Sequence, residues 1–283
     1  MFLSAGCIRH QELTSMNNYL VFDVEYATDG EGHALYQAAE RFDPSGIERT
    51  RDNDPRTRER WVFKRPVCIS WLVMEGADGH LTPGLLQTAG MPEHDEAEML
   101  ARFFEALKEL PDNVPLVSWG GSSSDEPQLR LAAMRHGMAV PPRLSVPLKP
   151  RLRHGDGHID LMTHMCGDAA RVHLAEMCAA FRIPAKVTAP PTAVGGFVAC
   201  GKWSLVKSIC ENDVLSTAGL LAHIVCNRTR TLSLFGALMG LARLGAGRKH
   251  RPYADAFEGW VNTLLRQETQ RCMEELLAGE AEF

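Results

Sequence analysis

The stretch Tyr19-Leu20-Val21-Phe22-Asp23-Val24-Glu25 (YLVFDVE) decides how this chain folds. Apart from Asp23, its first six residues are apolar, aromatic or β-branched, the composition of a short buried strand. Residues two apart on a strand share a face, so Asp23 and Glu25 converge at its C-terminal end. Two adjacent carboxylates repel, and holding them away from water is costly unless a cation neutralises them. An all-oxygen pair suits Mg²⁺ or Mn²⁺ better than zinc. Taken alone, the DxE is weak evidence, because Asp and Glu at a strand end are usually solvated residues leading into a turn.

The pattern breaks from Thr28 to Pro66, where Pro44, Pro55 and a run of mixed charges indicate a polar surface insertion. Val67–Met74 and Leu81–Leu86 flank Gly76 and Asp78-Gly79 and read as a β-hairpin. Met99, Leu100, Phe103, Phe104 and Leu107 fall at helical spacing within Asp95–Leu110, and Pro111 stops that helix. Val114–Trp119 is a further short strand, with Pro115 restricting it to an edge or to its first residues. A Gly120-Gly121 turn lacks the framework of a phosphate-cradling loop and leads into a helix over about 125–136. After a Pro- and Arg-containing loop over 143–157, helices are expected near 173–181, 203–226, 231–244 and 253–277.

With 283 residues and 45% apolar content, the chain can bury one substantial core. Its eight cysteines form no CxxC pair, which argues against a zinc finger and for reduced thiols. No signal-peptide pattern opens the chain, and no apolar stretch approaches the roughly 20 residues of a membrane span, so the expectation is a cytoplasmic protein without a membrane partner. A net charge of −5 disfavours polyanionic partners, but its distribution is uneven. Between Val214 and Ala254 there is no acidic residue, while Arg228, Arg230, Arg243, Arg248, Lys249 and Arg251 are basic. Arg248, Lys249 and Arg251 are therefore candidates to grip a nucleic-acid backbone, the alternative being a solvated helix connection.

Four segments in order resemble the DEDD (DnaQ-like) superfamily of 3′-5′ exonucleases. They are Phe22-Asp23-Val24-Glu25, LVSWGGSSSDEPQL (Leu116–Leu129), His158-Ile159-Asp160-Leu161-Met162 and ICENDVLST (Ile209–Thr217). The helix-and-turn LAEMCAAFRIPAK (Leu174–Lys186) adds to the likeness. The segments are most similar to the stand-alone bacterial predicted exonucleases related to the proofreading domain of B-family DNA polymerases. The resemblance covers about Tyr19 to Ile224 and implies an α/β fold: a ribonuclease H-like mixed sheet flanked by helices, with a C-terminal helical appendage. It divides the chain into an N-terminal extension (1–18), an exonuclease domain (19–226, with the insertion 28–66) and a helical extension (227–283) packed on the same domain.

The resemblance further implies that Asp23, Glu25, Asp125 and Asp213 are catalytic and hold two Mg²⁺ or Mn²⁺ ions. The pair would sit about 3.5–4 Å apart, one ion activating water and the other stabilising the leaving oxygen. The substrate would be nucleic acid, single-stranded or at a 3′ end, with a polymerase or repair partner possible. Trp119 lies beside the second motif as a base-stacking candidate, Ser124 stands where the family has Phe, and Gly120 where it has Asn. His154, His158 and Asp160 could chelate a transition metal, but in a Gly-rich loop leading into an element the plainer reading is no separate metal site, with a substrate-positioning role for His158 and Asp160 as the functional alternative. The family places Tyr or His four or five residues before its last Asp; here those positions are Ile209 and Ser208. A general base contributes roughly 10²–10⁴-fold, so the alternative is a weak or inactive module that still binds nucleic acid or a protein.

Overall fold

In the computed structural model, which describes residues 18–38, 60–145, 157–229 and 232–280, YLVFDVE opens a strand over Tyr19–Thr28 (β1). Alternation along β1 divides its side chains between two cores. Tyr19 and Val21 enter one, and Leu20, Phe22 and Val24 the other.

Asp29 follows β1 and accepts a hydrogen bond from Gly32 N–H, which starts a short helix over Gly30–Ala38 (α1). The expected insertion 28–66 is thus corrected at both ends, because β1 runs to Thr28 and the next strand begins at Lys64. Residues 39–59 lie outside the described residues, as do 1–17 of the expected N-terminal extension. Lys64–Ala77 (β2) and His80–Gly90 (β3) form the expected hairpin. Its two-residue turn holds Asp78 and Gly79 at φ +48° and +78°, both in the left-handed region that such turns require. Glu96–Glu109 (α2) carries a capping box from Asp95 and Glu98 and buries the five apolar residues that mark its helical period.

Leu116–Ser118 (β4), Asp125–Arg135 (α3), His158–Asp160 (β5) and Leu161–Cys166 (α4) come next. β4 lies between β1 and β5, inside the sheet rather than at its edge; Pro115 precedes it, and although it has no N–H to donate, its carbonyl accepts from Leu20 N–H. Leu174–Ala180 (α5), Val194–Ala199 (α6), Trp203–Thr229 (α7), Leu234–Ala246 (α8) and Ala254–Glu280 (α9) complete the described chain.

The strand order is β3-β2-β1-β4-β5. β2 runs antiparallel to β1 and to β3, whereas β4 is parallel to β1 and β5 to β4. This mixed sheet with helices on both faces is the ribonuclease H-like arrangement. One face packs against α7, α8 and α9, where Tyr253, Phe257, Trp260 and Leu264 share a core with Val21, Leu72 and Val214. The other face packs against α2 and α3 through Phe103, Leu107, Leu129 and Ala133.

α7 needs a correction of its own. By length and composition it could cross a membrane, contrary to the sequence-based expectation, yet 89% of its apolar window is buried within the protein. A helix buried on nearly every side carries apolar residues all round. Of the cysteines, the seven in the described residues are free and four of them buried.

Candidate metal centre

β1 presents Asp23 and Glu25 on the face that α7 covers, and α7 presents Asp213 to them. Ligand atoms of these three carboxylates lie within 4.8 Å of one another. Asp23 Oδ2 and Asp213 Oδ1 are buried without a hydrogen-bond partner among the described residues. Buried carboxylate oxygens left without partners are costly unless a cation takes them up, so this clustered set fits a hard divalent ion. Burial, followed by the mutual repulsion of Asp23, Asp213 and Asp125, pushes the Asp23 carboxyl well above its ordinary range. Glu25 rises for the same reasons, burial first and Asp23 next.

One cation is already built in. Lys186 forms an ion pair with Asp213, with its side chain 14% exposed. Burial alone would lower the Lys186 ammonium, but Asp213 and Asp23 outweigh it and raise it. Asp213 is raised by burial, and Lys186 opposes that rise. Lys186 sits at φ +54°, a conformation that costs a non-glycine residue about 1–3 kcal/mol. Its neighbours hold it there: Val187 N–H donates to Asn212 Oδ1 and Ser216 Oγ donates to Pro184 O, both partners lying on α7 beside Asp213.

Asp125, at the first turn of α3, lies outside the three-carboxylate cluster. Its Oδ1 accepts from the Tyr26 hydroxyl at 3.2 Å and from Ser124 Oγ at 3.2 Å. The turn before it is tightly tied. Gly120 takes φ +76°, and a Cβ on Gly121 would fall 2.3 Å from Ser118 Oγ. Asp160 accepts from Gly120 N–H, from the Ser122 hydroxyl and from Met162 N–H, so it braces the turn while capping α4. His158 bridges Ser118 Oγ (2.7 Å) and Glu126 Oε1 (2.6 Å). That Ser-His-Glu relay has the connectivity of a nucleophilic triad, but Ser118 is fully buried and also receives Gly121 N–H, so it serves as a brace. His158 and Asp160 therefore act on Asp125 through the turn. Trp119 is half-buried against the first core, and His154 lies outside the described residues.

Burial pushes the Asp125 carboxyl up to about 6 from 3.8, against the opposing pull of Tyr26 and Ser124. An acid raised on folding stabilises the fold while protonated, and that contribution is lost as pH rises from about 4 through 6. In metal-free protein, wild type should therefore lose about 3 kcal/mol relative to Asp125→Asn between pH 4 and pH 7. Urea unfolding of both proteins across that range measures the difference. A flat difference would mean that the carboxyl titrates normally.

The basic helix connection is corrected. Arg251 donates through Nε and Nη2 to Glu211, at 2.9 and 2.7 Å, and Arg248 turns inward to Leu86 O and the same carboxylate. Glu211 is fully buried and also receives the hydroxyls of Tyr253 (2.6 Å) and Thr88 (2.9 Å). Lys249 is exposed and pairs with Glu258. An interior carboxylate thus consumes the two arginines expected at phosphates. Ile209 packs among Val67, Cys68, Val194 and Val206 at 2% exposure, and Ser208 donates to Ser204 O within its own helix. Sequence reasoning did not assign roles to Lys186 or Tyr26. The only sequence signal for Lys186 was its place at the end of LAEMCAAFRIPAK, and for Tyr26 its place after Glu25.

Residues 59–230 match the model of a family described as predicted 3′-5′ exonucleases related to the exonuclease domain of PolB. That span contains Asp125 and Asp213, while Asp23 and Glu25, which lie before it, join Asp213 through the place of β1 in the sheet. No curated protein matches the chain. Among solved structures, it is similar to the family B DNA polymerase from the hyperthermophilic archaeon Pyrobaculum calidifontis, with 14% identity and a TM-score of 0.48 over 83% of this chain and 29% of that one. It is also similar to E. coli exonuclease I in complex with a 5cy-dT13 oligonucleotide, with 12% identity and a TM-score of 0.41 over 76% of this chain and 41% of that one. The chain spans less than half the length of either.

Proposed function

The chain belongs to the family of predicted 3′-5′ exonucleases related to the exonuclease domain of PolB, and we propose that it hydrolyses phosphodiester bonds from the 3′ end of a nucleic acid. In this reading Asp23, Glu25, Asp125 and Asp213 hold two Mg²⁺ or Mn²⁺ ions. The observation that carries it is the pair of buried oxygens, Asp23 Oδ2 and Asp213 Oδ1, that find no partner among the described residues, inside a cluster of three carboxylates. When bound, the ions supply Lewis acidity for activating water and for neutralising charge at the phosphate. The chain's own residues orient and balance. Lys186 offsets the charge of Asp213, Tyr26 and Ser124 hold Asp125, and His158 and Asp160 brace the turn beneath it. Trp119 is a candidate platform for a terminal base, which aromatic stacking would hold without sequence preference.

The test is cleavage of a single-stranded oligonucleotide labelled at its 5′ end, with Mn²⁺ and with EDTA. A ladder shortening one nucleotide at a time with Mn²⁺ alone is expected. Internal cuts, or no cuts with any DNA or RNA strand, would sink the proposal. Ile209 and Ser208 favour a second reading, in which the module binds nucleic acid with little turnover because neither side chain can accept the water's proton. Oligonucleotide binding without a ladder would select it.

A further inference from the structure

Tyr26 follows Glu25 on β1 but, by strand alternation, belongs to the opposite face, with Leu20, Phe22 and Val24. That face is covered by α2 and α3, and the Tyr26 ring packs against their core. The ladder breaks beside it, because Glu25 pairs with Cys68 and Tyr26 with Pro66, leaving Val67 as an extra residue on β2. A bulge of this kind increases local twist and redirects nearby side chains. The Tyr26 hydroxyl consequently meets Asp125 from the α3 side of the sheet, while Asp23 and Glu25 face α7 on the other. Among the described residues, both side-chain donors to Asp125, Tyr26 and Ser124, reach Oδ1. Oδ2 is the oxygen left to meet an ion, and it lies over Gly121, where a Cβ would approach it to 3.0 Å.

Resting on the exonuclease reading, we propose that Tyr26 is a positioning residue of the metal centre. Its hydroxyl pins Asp125 Oδ1, so that Asp125 offers a single oxygen, Oδ2, to an ion. Ile209 and Ser208 leave α7 without a hydroxyl directed at the carboxylates, so the phenol that organises this centre comes from β1. Outer partners of a ligating carboxylate typically change metal affinity 10–100-fold when removed.

The experiment is calorimetric titration of Mn²⁺ into the full chain, comparing wild type with Tyr26→Phe, each with a thermal melt. The variant should keep the stronger binding step, which Asp23, Glu25 and Asp213 provide, and weaken the other by about 10-fold. In an Asp125→Asn background the same change should have no further effect. Identical isotherms for wild type and Tyr26→Phe would overturn the proposal while leaving the exonuclease reading to its cleavage assay. Equal weakening of both steps, or a Tyr26→Phe protein that does not fold, would make Tyr26 a structural residue and overturn it too. A wild type that takes up no Mn²⁺ would remove both this proposal and the reading beneath it.

Discussion

Asp23→Asn is expected to reduce Mn²⁺-dependent nucleotide release by at least about 10²-fold, the size of effect that follows the loss of one preorganised charge-stabilising group. The same change should raise the melting temperature of the metal-free protein at neutral pH. Both effects have one cause. The Asp23 carboxyl is pushed up by burial and then by Asp213 and Asp125, so the folded, metal-free protein bears strain at this residue. An amide of the same shape removes that strain and also removes the charge that a divalent ion needs. Cleavage assays beside thermal melts with EDTA and with Mn²⁺ separate the two. The Mn²⁺-induced rise in melting temperature should shrink in the variant. A variant that melts lower without metal and still cleaves would show Asp23 to be a structural residue.

The second large effect lies away from the carboxylate cluster. Arg251→Met should destabilise the protein by about 3–5 kcal/mol, because it leaves Glu211 as a buried charge without its main partner. For a chain of this size that is a fall in melting temperature on the order of 10 °C. Glu211 sits two residues before Asp213, and its partners come from β3 and from the connection between α8 and α9, Tyr253 included. This one carboxylate therefore ties the C-terminal helices to the element that carries Asp213. Arg251→Met combined with Glu211→Met should recover much of the loss, since an apolar replacement of a buried pair is often neutral. If Arg251 instead gripped phosphate, Arg251→Met would leave the melting temperature alone and flatten the salt dependence of oligonucleotide binding.

The strand carrying Asp23, the hairpin and the long helices were legible because they rest on local rules. Period 2 in YLVFDV, period 3.6 from Met99 to Leu107, and Asp-Gly at a two-residue turn each act within a few residues. The candidate carboxylates could be read from their spacing within recognisable segments. Their grouping could not, because the distance between Asp23 and Asp213 depends on how α7 lies across β1. The helix Gly30–Ala38 went unread because its glycines hide a start that the Asp29 side chain supplies. Arg248 and Arg251 show the limit most clearly. In a stretch without acids they read as a surface for phosphates, since charge pattern predicts a partner only while that partner is in solution. Folding brought Glu211 to them from some 40 residues away, and an arginine meeting a buried carboxylate must spend its donors there. Tyr26 and Lys186 follow the same logic. Sequence determined the strand, the helix period and the carboxylates, whereas only the crossing of distant segments decided that a phenol would hold Asp125 and an ammonium would hold Asp213.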